Sequence, residues 1–524
     1  MKWLRTFVLL ALVLAAVGVA IRLVARLPTL DDRSASTAFT QTADTTLGRA
    51  LAPAIAAHPG LTGIHLLDDG RAAFASRVLL ARAAERSIDV QYYIWHGDIT
   101  GTLLFDELRR AADRGVRVRL LQDDNTTLGL DRTLAALDAH RNIEVRLFNP
   151  FVIRSPRWIG YLTDFPRLNR RMHNKSFTVD NQATIVGGRN IGDEYFGAGD
   201  GSLFVDLDAL AVGAVVGDVS RDFDRYWASA SAYPAAAILP PVAPDALEDF
   251  AAAAARLRDS GAAQRYVQAL ASLPLATRFV ESGLSLRWAP VRMVSDDPAK
   301  ALGRAPREGL LISRLDQLLQ RPTQRLQLVS GYFVPTNKGV DGFIAMAGRG
   351  VRLDIITNAL EATDVPIVHA GYADHRKPLL RAGVRLWELR HEAGALSWRD
   401  VAATGSAGSV IGSSGAALHA KTFTVDGERV FIGSFNFAPR SAHLNTELGF
   451  VIGSAELTQA MSQRLDEATP LIAYEVRLSP RGDLVWIERR PDGTLIEHQR
   501  EPGAGFWQRA AVKVFSWLPI EWLL

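Results

Sequence analysis

The stretch Met172-His173-Asn174-Lys175-Ser176-Phe177-Thr178-Val179-Asp180, trailed by Gly187-Gly188-Arg189-Asn190, recurs as Leu418-His419-Ala420-Lys421-Thr422-Phe423-Thr424-Val425-Asp426, trailed by Gly433-Ser434-Phe435-Asn436. Both copies obey His-x-Lys-x-x-x-x-Asp, and the closing Asn follows its His at the same interval. Phe-Thr-Val favours a strand, Asp favours a turn, and a second apolar stretch follows, Ala183 to Val186 or Val430 to Ile432. Each copy therefore predicts a β-hairpin.

A two-residue loop at Asn181-Gln182 sets His173 opposite Asn190 and Lys175 opposite Gly188. A loop at Gly427-Glu428 sets His419 opposite Asn436 and Lys421 opposite Ser434. A bulge at the glycines would move this register by one residue. Side chains alternate along a strand, so His and Lys two apart share a face. Imidazole, ammonium and carboxamide on one patch suit an anionic tetrahedral group. Two such patches supply one His to attack and another to act as acid and base, which two-step phosphoryl transfer without a metal requires. Asp180 and Asp426 complete the motifs and are counted with their catalytic residues. They fall at the turn on the alternate parity, so the role expected of them is structural or orienting. A lone His on a strand is ordinarily structural; duplication at matched spacing reverses that reading.

These motifs resemble the paired His-Lys-Asp signatures of the phospholipase D superfamily. The longer words Asp89-Val90-Gln91-Tyr92-Tyr93-Ile94-Trp95-His96, Arg170-Arg171-Met172-His173-Asn174-Lys175 and Gly187 to Phe196 resemble the bacterial cardiolipin synthase C type within it. The resemblance, from about Leu61 to the C-terminus, implies two pseudo-symmetric α/β lobes with the active site between them. It also implies a phosphohistidine on one His and proton transfer by the other. His173 is assigned as nucleophile and His419 as acid and base, although the likeness of the motifs leaves the order open. Lys175 and Lys421 would neutralise phosphoryl oxygens, with Asn190 and Asn436 adding hydrogen bonds. A carboxylate is expected behind each His, to hold its tautomer. In the second half this is Glu447; in the first it is Asp206 or Asp208. Gly-Gly in the first copy departs from the commoner Gly-Ser, so Ser434 alone offers a hydroxyl that could contact phosphate. Tyr93, His96, Asp124, Asn125, Thr363, Asp364, His369 and Tyr372 are weaker candidates, for which structural roles are preferred.

A chain of 524 residues with 48% hydrophobic content can bury two sizeable cores. Its net charge of +3 does not suggest a dedicated nucleic-acid binder, so no nucleic-acid partner is expected. Cysteine is absent, which removes disulfides, thiolate metal sites and a Cys nucleophile. Neither a metal nor another cofactor is expected. Thr6 to Ile21 is uncharged and apolar between Lys2, Arg5 and Arg22, Arg26. It is short against the roughly 20 residues of a span, but a snorkelling Arg22 could extend it. No clean small-x-small cleavage site follows, so an uncleaved anchor is preferred to a signal peptide.

The predicted organisation is an anchor over 1–28, a connection over 29–60 and a first lobe over 61–227. An Ala/Pro-rich helical linker (228–304) with one helical run, Leu247 to Leu270, leads to a second lobe over 305–475. In the first lobe Arg71 to Arg86, Gly101 to Arg114 and Asp131 to His140 read as helices alternating with strands at Ser87 to Trp95, Val116 to Leu121 and Ile143 to Phe148. Arg349-Gly350-Val351-Arg352 echoes Arg114-Gly115-Val116-Arg117, so the βαβ order is duplicated and mixed sheets are expected. Over 476–524, a hairpin at Leu484 to His498 turning at Pro491-Asp492-Gly493 precedes an aromatic, basic segment. That segment reads equally as an interfacial membrane helix or a helix docked on the core. The reading reached is a membrane-bound phosphatidyltransferase of the bacterial inner membrane. It acts on phospholipids, phosphatidylglycerol with phosphatidylethanolamine as a further donor, and forms cardiolipin; the protein partner and membrane side are left open. Rivals are a hydrolytic phospholipase D, a synthase of another headgroup, a nuclease and a non-catalytic scaffold.

Overall fold

The computed structural model describes residues 26–198, 203–271, 285–319, 321–391, 416–490, 492–518 and 520–524, with scattered positions among the first 25. The strands are β1 (Thr62–Leu67), β2 (Ser87–Tyr92), β3 (Arg117–Asp123), β4 (Ile143–Phe148), β5 (Ser176–Val179), β6 (Ala183–Gly187), β7 (Leu203–Val205), β8 (Asp208–Gly213), β9 (Ala232–Pro234) and β10 (Arg287–Ala289). They continue as β11 (Val291–Ser295), β12 (Arg325–Ser330), β13 (Arg352–Asn358), β14 (Arg385–Leu389), β15 (Ala416–Leu418), β16 (Lys421–Val425), β17 (Arg429–Gly433), β18 (Leu448–Gly453), β19 (Ala473–Leu478), β20 (Leu484–Arg489) and β21 (Leu495–His498). Among the described residues one sheet has the order β10-β1-β8-β6-β5-β2-β3-β4-β9 and another β11-β18-β17-β16-β12-β13-β14-β19-β20-β21.

The run β8-β6-β5-β2-β3-β4 repeats as β18-β17-β16-β12-β13-β14, so the duplicated words are duplicated topology. Within each run the βαβ strands are parallel and the hairpin strands antiparallel, which makes both sheets mixed. The central strands are buried along nearly their whole length, as strands covered on both faces must be. The sheets meet through Ile64, Val186, Ala209 and Ala211 on one side and Val430, Ile432, Phe450 and Ile452 on the other. That shared apolar layer fixes the lobes relative to each other and holds the ends of both hairpins at one place.

Both hairpins close on three-residue loops rather than two. Val179 pairs with Ala183 and Val425 with Arg429, so the expected register moves by one residue throughout. The physical reason lies in the loops: Asp180 and Asn181 have φ near 50°, and Asp426 and Gly427 have φ of 52° and 70°. Asp, Asn and Gly tolerate this left-handed region best, which lets the motif Asp itself turn the chain.

Segment 228–304 does more than link. β10 extends the first sheet beside β1, and β11 edges the second beside β18. Its expected single helix is two, Ala246–Arg258 and Gly261–Ala271. Ser260 lies at the break, its hydroxyl accepting the N–H of Ala263 and its carbonyl that of Gln264. β20 and β21 form the expected hairpin, although Pro491 of its turn lies outside the described residues. The C-terminal helix Phe506–Phe515 docks by Val512 against Leu360 and Ala370 while Phe506, Trp507 and Val514 stay exposed. The apolar N-terminal segment, read as an anchor, falls largely outside the described residues. Among the described residues no helix is long and apolar enough to cross a membrane.

Candidate active site

His173 and His419 each lie just before a hairpin strand, where the chain has left its own sheet to pair with the other lobe. The N–H of His173 donates to Thr446 O at 2.8 Å, and that of His419 to Val205 O at 2.9 Å. β15 runs parallel to β7, and Met172 bridges Thr446 in the same sense. The residue after each of those carbonyls is a carboxylate. Glu447 Oε2 lies 2.8 Å from His173 Nδ1, and Asp206 Oδ2 lies 2.5 Å from His419 Nδ1. The orienting carboxylates therefore cross over: each lobe positions the imidazole of the other. The expectation of one carboxylate per His within each half is corrected by this exchange.

Buried polar side chains hold the two segments in place. Arg171 makes paired bonds to Asp123 Oδ1 at 2.9 and 2.7 Å, while Asp123 Oδ2 accepts the N–H of Met172 at 2.7 Å. Asn358 does the same work before His419, accepting Leu418 N–H at 2.7 Å and donating to Leu418 O at 2.9 Å. Neither residue was a candidate from the sequence. Arg171 stands inside a quoted word, but nothing in its spacing marks a role.

The two carboxylates are supported differently. Glu447 accepts Ser434 Oγ at 2.5 Å and Ser441 Oγ at 2.6 Å. Asp206 accepts its neighbour's N–H, Leu207, at 2.8 Å. At Gly188 a Cβ would come within 2.1 Å of Asp206 Oδ1, which explains why a Ser is missing there. The Ser434 hydroxyl, expected at phosphate, instead supports Glu447. Asp208 is excluded as a partner of His419, because it is committed to Arg77 at 2.9 Å and to the N–H of Arg189 at 3.1 Å.

Lys175 Nζ donates to His173 O at 2.5 Å, and Lys421 Nζ donates to His419 O, so each ammonium stays beside its own imidazole. Asn190 bridges Ile94 N–H and Tyr195 OH at 3.1 and 2.9 Å. Asn436 Oδ1 is buried without a partner among the described residues. Tyr93 stacks edge-on to His173 at 5.1 Å between centroids, and Tyr195 and Phe204 each lie 5.2 Å from His419. Both histidines are all but buried, at 6% and 5% exposure. Burial lowers the pKa of both, and Lys175, Lys421 and His419 push His173 well below the usual value. For His419 the negative charge and hydrogen bond of Asp206 oppose burial and Lys421. Burial lifts Glu447 to about 7. Burial alone would raise Asp206 too, but the charge and hydrogen bond of His419, with Lys421 and Arg189, hold it to about 2.

Asp180 and Asp426, counted with the catalytic residues, stand at the far end of the strands from His and Lys. Asp180 accepts the N–H groups of Glu85, Arg86 and Ser87 at 3.0, 2.7 and 2.8 Å, where β2 begins. Asp426 accepts those of Thr323, Gln324 and Arg325 at 2.9, 2.8 and 2.9 Å, where β12 begins. Their place is structural, and a catalytic assignment is withdrawn. Asp180→Ala is expected to cost about 3 kcal/mol of stability by stranding charge-assisted bonds, with kcat of the folded protein within about threefold of the parent. Denaturant titration beside steady-state rates checks both, and a collapse of kcat in a well-folded variant would overturn it.

The weaker candidates divide. Asn125 touches Tyr93 OH at 3.3 Å and accepts Tyr161 OH at 2.7 Å, and Asp364 accepts Tyr332 OH at 2.7 Å. Asp124 accepts the N–H of Phe151 at 2.7 Å and pairs with Arg154, while Thr363 receives Val365 N–H at 3.4 Å. His369 pairs with Glu501 at 3.1 Å, and Tyr372 packs on Phe333. These hold local structure and the C-terminal segment. His96 lies 3.2 Å from Glu194, and with Asp98 their ligand atoms fall within 4.8 Å of one another. Asp98 is already used, capping the helix Ile99–Asp113 at Gly101 N–H.

Two mixed-sheet lobes that exchange carboxylates behind paired His-Lys motifs define a phospholipase D-like protein. The family described as "Cardiolipin synthase, PLD-like domain" matches residues 79–227 and 315–469, more than half of the chain, and the chain belongs to that family. It is 48% identical over 478 residues to cardiolipin synthase C of Escherichia coli (strain K12), covering 91% of this chain and 99% of that one. It is also 30% identical over 477 residues to an uncharacterized protein of Helicobacter pylori (strain ATCC 700392 / 26695), covering 89% and 90%. The crystal structure of phosphatidylserine synthase from Haemophilus influenzae Rd KW20 superposes with a TM-score of 0.54 at 14% identity, over 91% of this chain and 100% of that chain, a likeness of fold.

Proposed function

We propose that the protein is a membrane-bound phosphatidyltransferase that forms cardiolipin. His173 Nε2 attacks the phosphorus of a phospholipid, the bond from phosphorus to the headgroup oxygen breaks, and His419 gives that oxygen its proton. His419 then takes a proton from the glycerol hydroxyl of phosphatidylglycerol. The freed oxygen attacks the phosphohistidine and releases His173. One phosphodiester replaces another, so the exchange itself calls for neither nucleotide nor metal. The observation that carries this reading is the crossed pair of carboxylates at the two Nδ1 atoms, which leaves both Nε2 atoms for chemistry. The order rests on charge: Asp206, held ionised, offsets part of the burial that lowers His419, while Lys175, Lys421 and His419 press His173 well below its usual value, which keeps it neutral and nucleophilic.

A lipid substrate is supported by the surface around the cleft. Trp158, Leu162 and Phe165 are exposed on the helix Trp158–Leu168, whose Tyr161 reaches Asn125 beside Tyr93. Arg440 ties the end of that helix to the C-terminus, donating to Asn169 Oδ1 at 2.9 Å and Leu523 O at 2.8 Å. The exposed Trp507, Trp517 and Trp522 therefore sit on a segment joined to the same rim, and interfacial aromatic residues of this kind suit a bilayer surface. The kinship with the E. coli cardiolipin synthase points the same way.

Vesicles of labelled phosphatidylglycerol, with phosphatidylethanolamine added as a second donor, test the reading by product analysis. Labelled cardiolipin with free glycerol or ethanolamine is expected; phosphatidic acid alone would transfer the case to the hydrolase. The pH profile is a second expectation. As pH falls through about 7, Glu447 takes up a proton and ceases to be an ionised acceptor for His173. As it rises, Lys175 and Lys421, both lowered by burial and Lys421 to about 8, lose the charge that faces phosphoryl oxygen. Activity under subsaturating substrate is expected to peak narrowly between these limits, and a flat profile from acid to alkaline pH would contradict both assignments.

A further inference from the structure

We propose that a groove on the second sheet, lined by none of the histidines, lysines or carboxylates of the candidate active site, docks a short segment of another polypeptide. The argument starts in the first lobe, where residues 33–39 cross the equivalent face. Arg146 donates to Ser34 O at 2.6 Å, Arg119 to Ser36 O at 2.9 Å and Arg117 to Thr37 O at 2.8 Å. The N–H of Ala38 meets the Asp224 carboxylate at 3.0 Å, Trp227 Nε1 donates to Ser36 Oγ at 3.0 Å, and Phe39 lies 3.8 Å from the guanidinium of Arg117. The strap is thus held mainly through its backbone, by arginines from the sheet and by one helix.

Sheet register transfers this site to the second lobe. Asp89 pairs with Arg119 and Arg119 with Glu144, as Gln327 pairs with Asp354 and Asp354 with Arg385. On the same face Arg352 stands for Arg117 and Trp387 for Arg146. Asp466, bonded to Arg325 at 2.7 Å, takes the place of Asp224, bonded to Arg119 at 2.8 Å. Three residues on along the helices, Thr469 takes the place of Trp227.

Here no strap lies across the groove among the described residues. A cavity of about 470 Å³ is found instead, floored by Ile356, Trp387 and Leu465. Thr469 Oγ1, 4% exposed as a residue, is buried there without a partner, at the position whose counterpart bonds the strap. Arg325, Arg352 and Arg385 share Asp354, the first two reach Asp466 as well, and exposed Arg489 has no ion pair among the described residues, so the rim carries excess positive charge. The fitting guest offers backbone carbonyls to Arg352 and Arg385, an N–H to Asp466, a donor or acceptor to Thr469, an apolar side chain to Trp387 and an acidic one to Arg489. Among the described residues the chain's own strap is already used on the first sheet, and the occupant proposed is a segment of another polypeptide.

The probe is a phage-displayed library of random short peptides, panned on the full-length protein. Peptides with an acidic residue are expected to be enriched, and Arg385→Gln and Arg489→Glu are each expected to weaken them by about tenfold or more. Arg489 is exposed and makes no ion pair among the described residues, so its variant folds, and both variants should keep the parent transferase rate. Three results would overturn the proposal: no enrichment, enriched peptides indifferent to both variants, or displacement of the peptides by phosphatidylglycerol vesicles, which would make the groove a lipid site. None depends on the reaction at the histidines.

Discussion

His173→Ala and His419→Ala are each expected to lower phosphatidyl transfer by about a thousandfold or more, and an activated substrate is expected to separate them. With a natural headgroup both fail at the first step, His173→Ala for want of a nucleophile and His419→Ala because the leaving alkoxide needs a proton. A nitrophenyl phosphodiester relieves that need. On it, His419→Ala is expected to release about one equivalent of nitrophenol in a burst and stop, with phosphorus held on His173. His173→Ala is expected to show no burst. The basis is the site's charge: Asp206 offsets part of the burial that lowers His419, while Lys175, Lys421 and His419 press His173 further down. A burst from His173→Ala and none from His419→Ala would reverse the assignment, and full activity in either variant would remove the histidines from the mechanism.

The second large effect follows from the crossed carboxylates. Asp206→Asn and Glu447→Gln preserve shape but lose the ionised acceptor at Nδ1, and a fall of about a hundredfold to ten-thousandfold in kcat is expected by analogy with other His-carboxylate pairs. The pairing makes the pattern specific. Asp206→Asn should keep the nitrophenol burst, as His419→Ala does, whereas Glu447→Gln should lose it with His173→Ala. Adding Asp206→Asn to His419→Ala should cost little more, because the two act as one unit, and adding Glu447→Gln to His173→Ala should likewise cost little more. Coupling of His173 to Asp206 and of His419 to Glu447 would instead return the carboxylates to their own halves. Loss in Glu447→Gln carries a second contribution, from the hydroxyls of Ser434 and Ser441 left to a weaker acceptor.

The expectations that held were those written in local spacing. Ser87 to Phe148 reads as strand, helix, strand, helix, strand, because period-two and helical patterns alternate there with short turns, and the structure has β2, β3 and β4 in that order. The hairpins were legible too, since Phe-Thr-Val-Asp needs only its neighbours. Their register was not, because it depended on Asp180 and Asp426 entering the left-handed region, a choice secured in each case by three backbone N–H groups where a different strand begins. β7, β10, β11 and β15 are short and carry little pattern of their own; they form only where a partner edge is waiting.

By itself the sequence determined that there are two hairpins, that each brings a His, a Lys and an Asn to its end, and that the halves repeat one βαβ topology. Those facts follow from intervals of a few residues, over which backbone geometry is nearly constant. Only the tertiary structure decided which carboxylate serves which histidine, why Gly188 cannot be Ser and that Asp208 belongs to arginines. His173 and Glu447 are 274 residues apart and His419 and Asp206 213, and they meet because the apolar layer between the sheets sets the lobes face to face. Each chain segment, having left its own sheet, then finds its unsatisfied backbone groups completed by the opposite lobe.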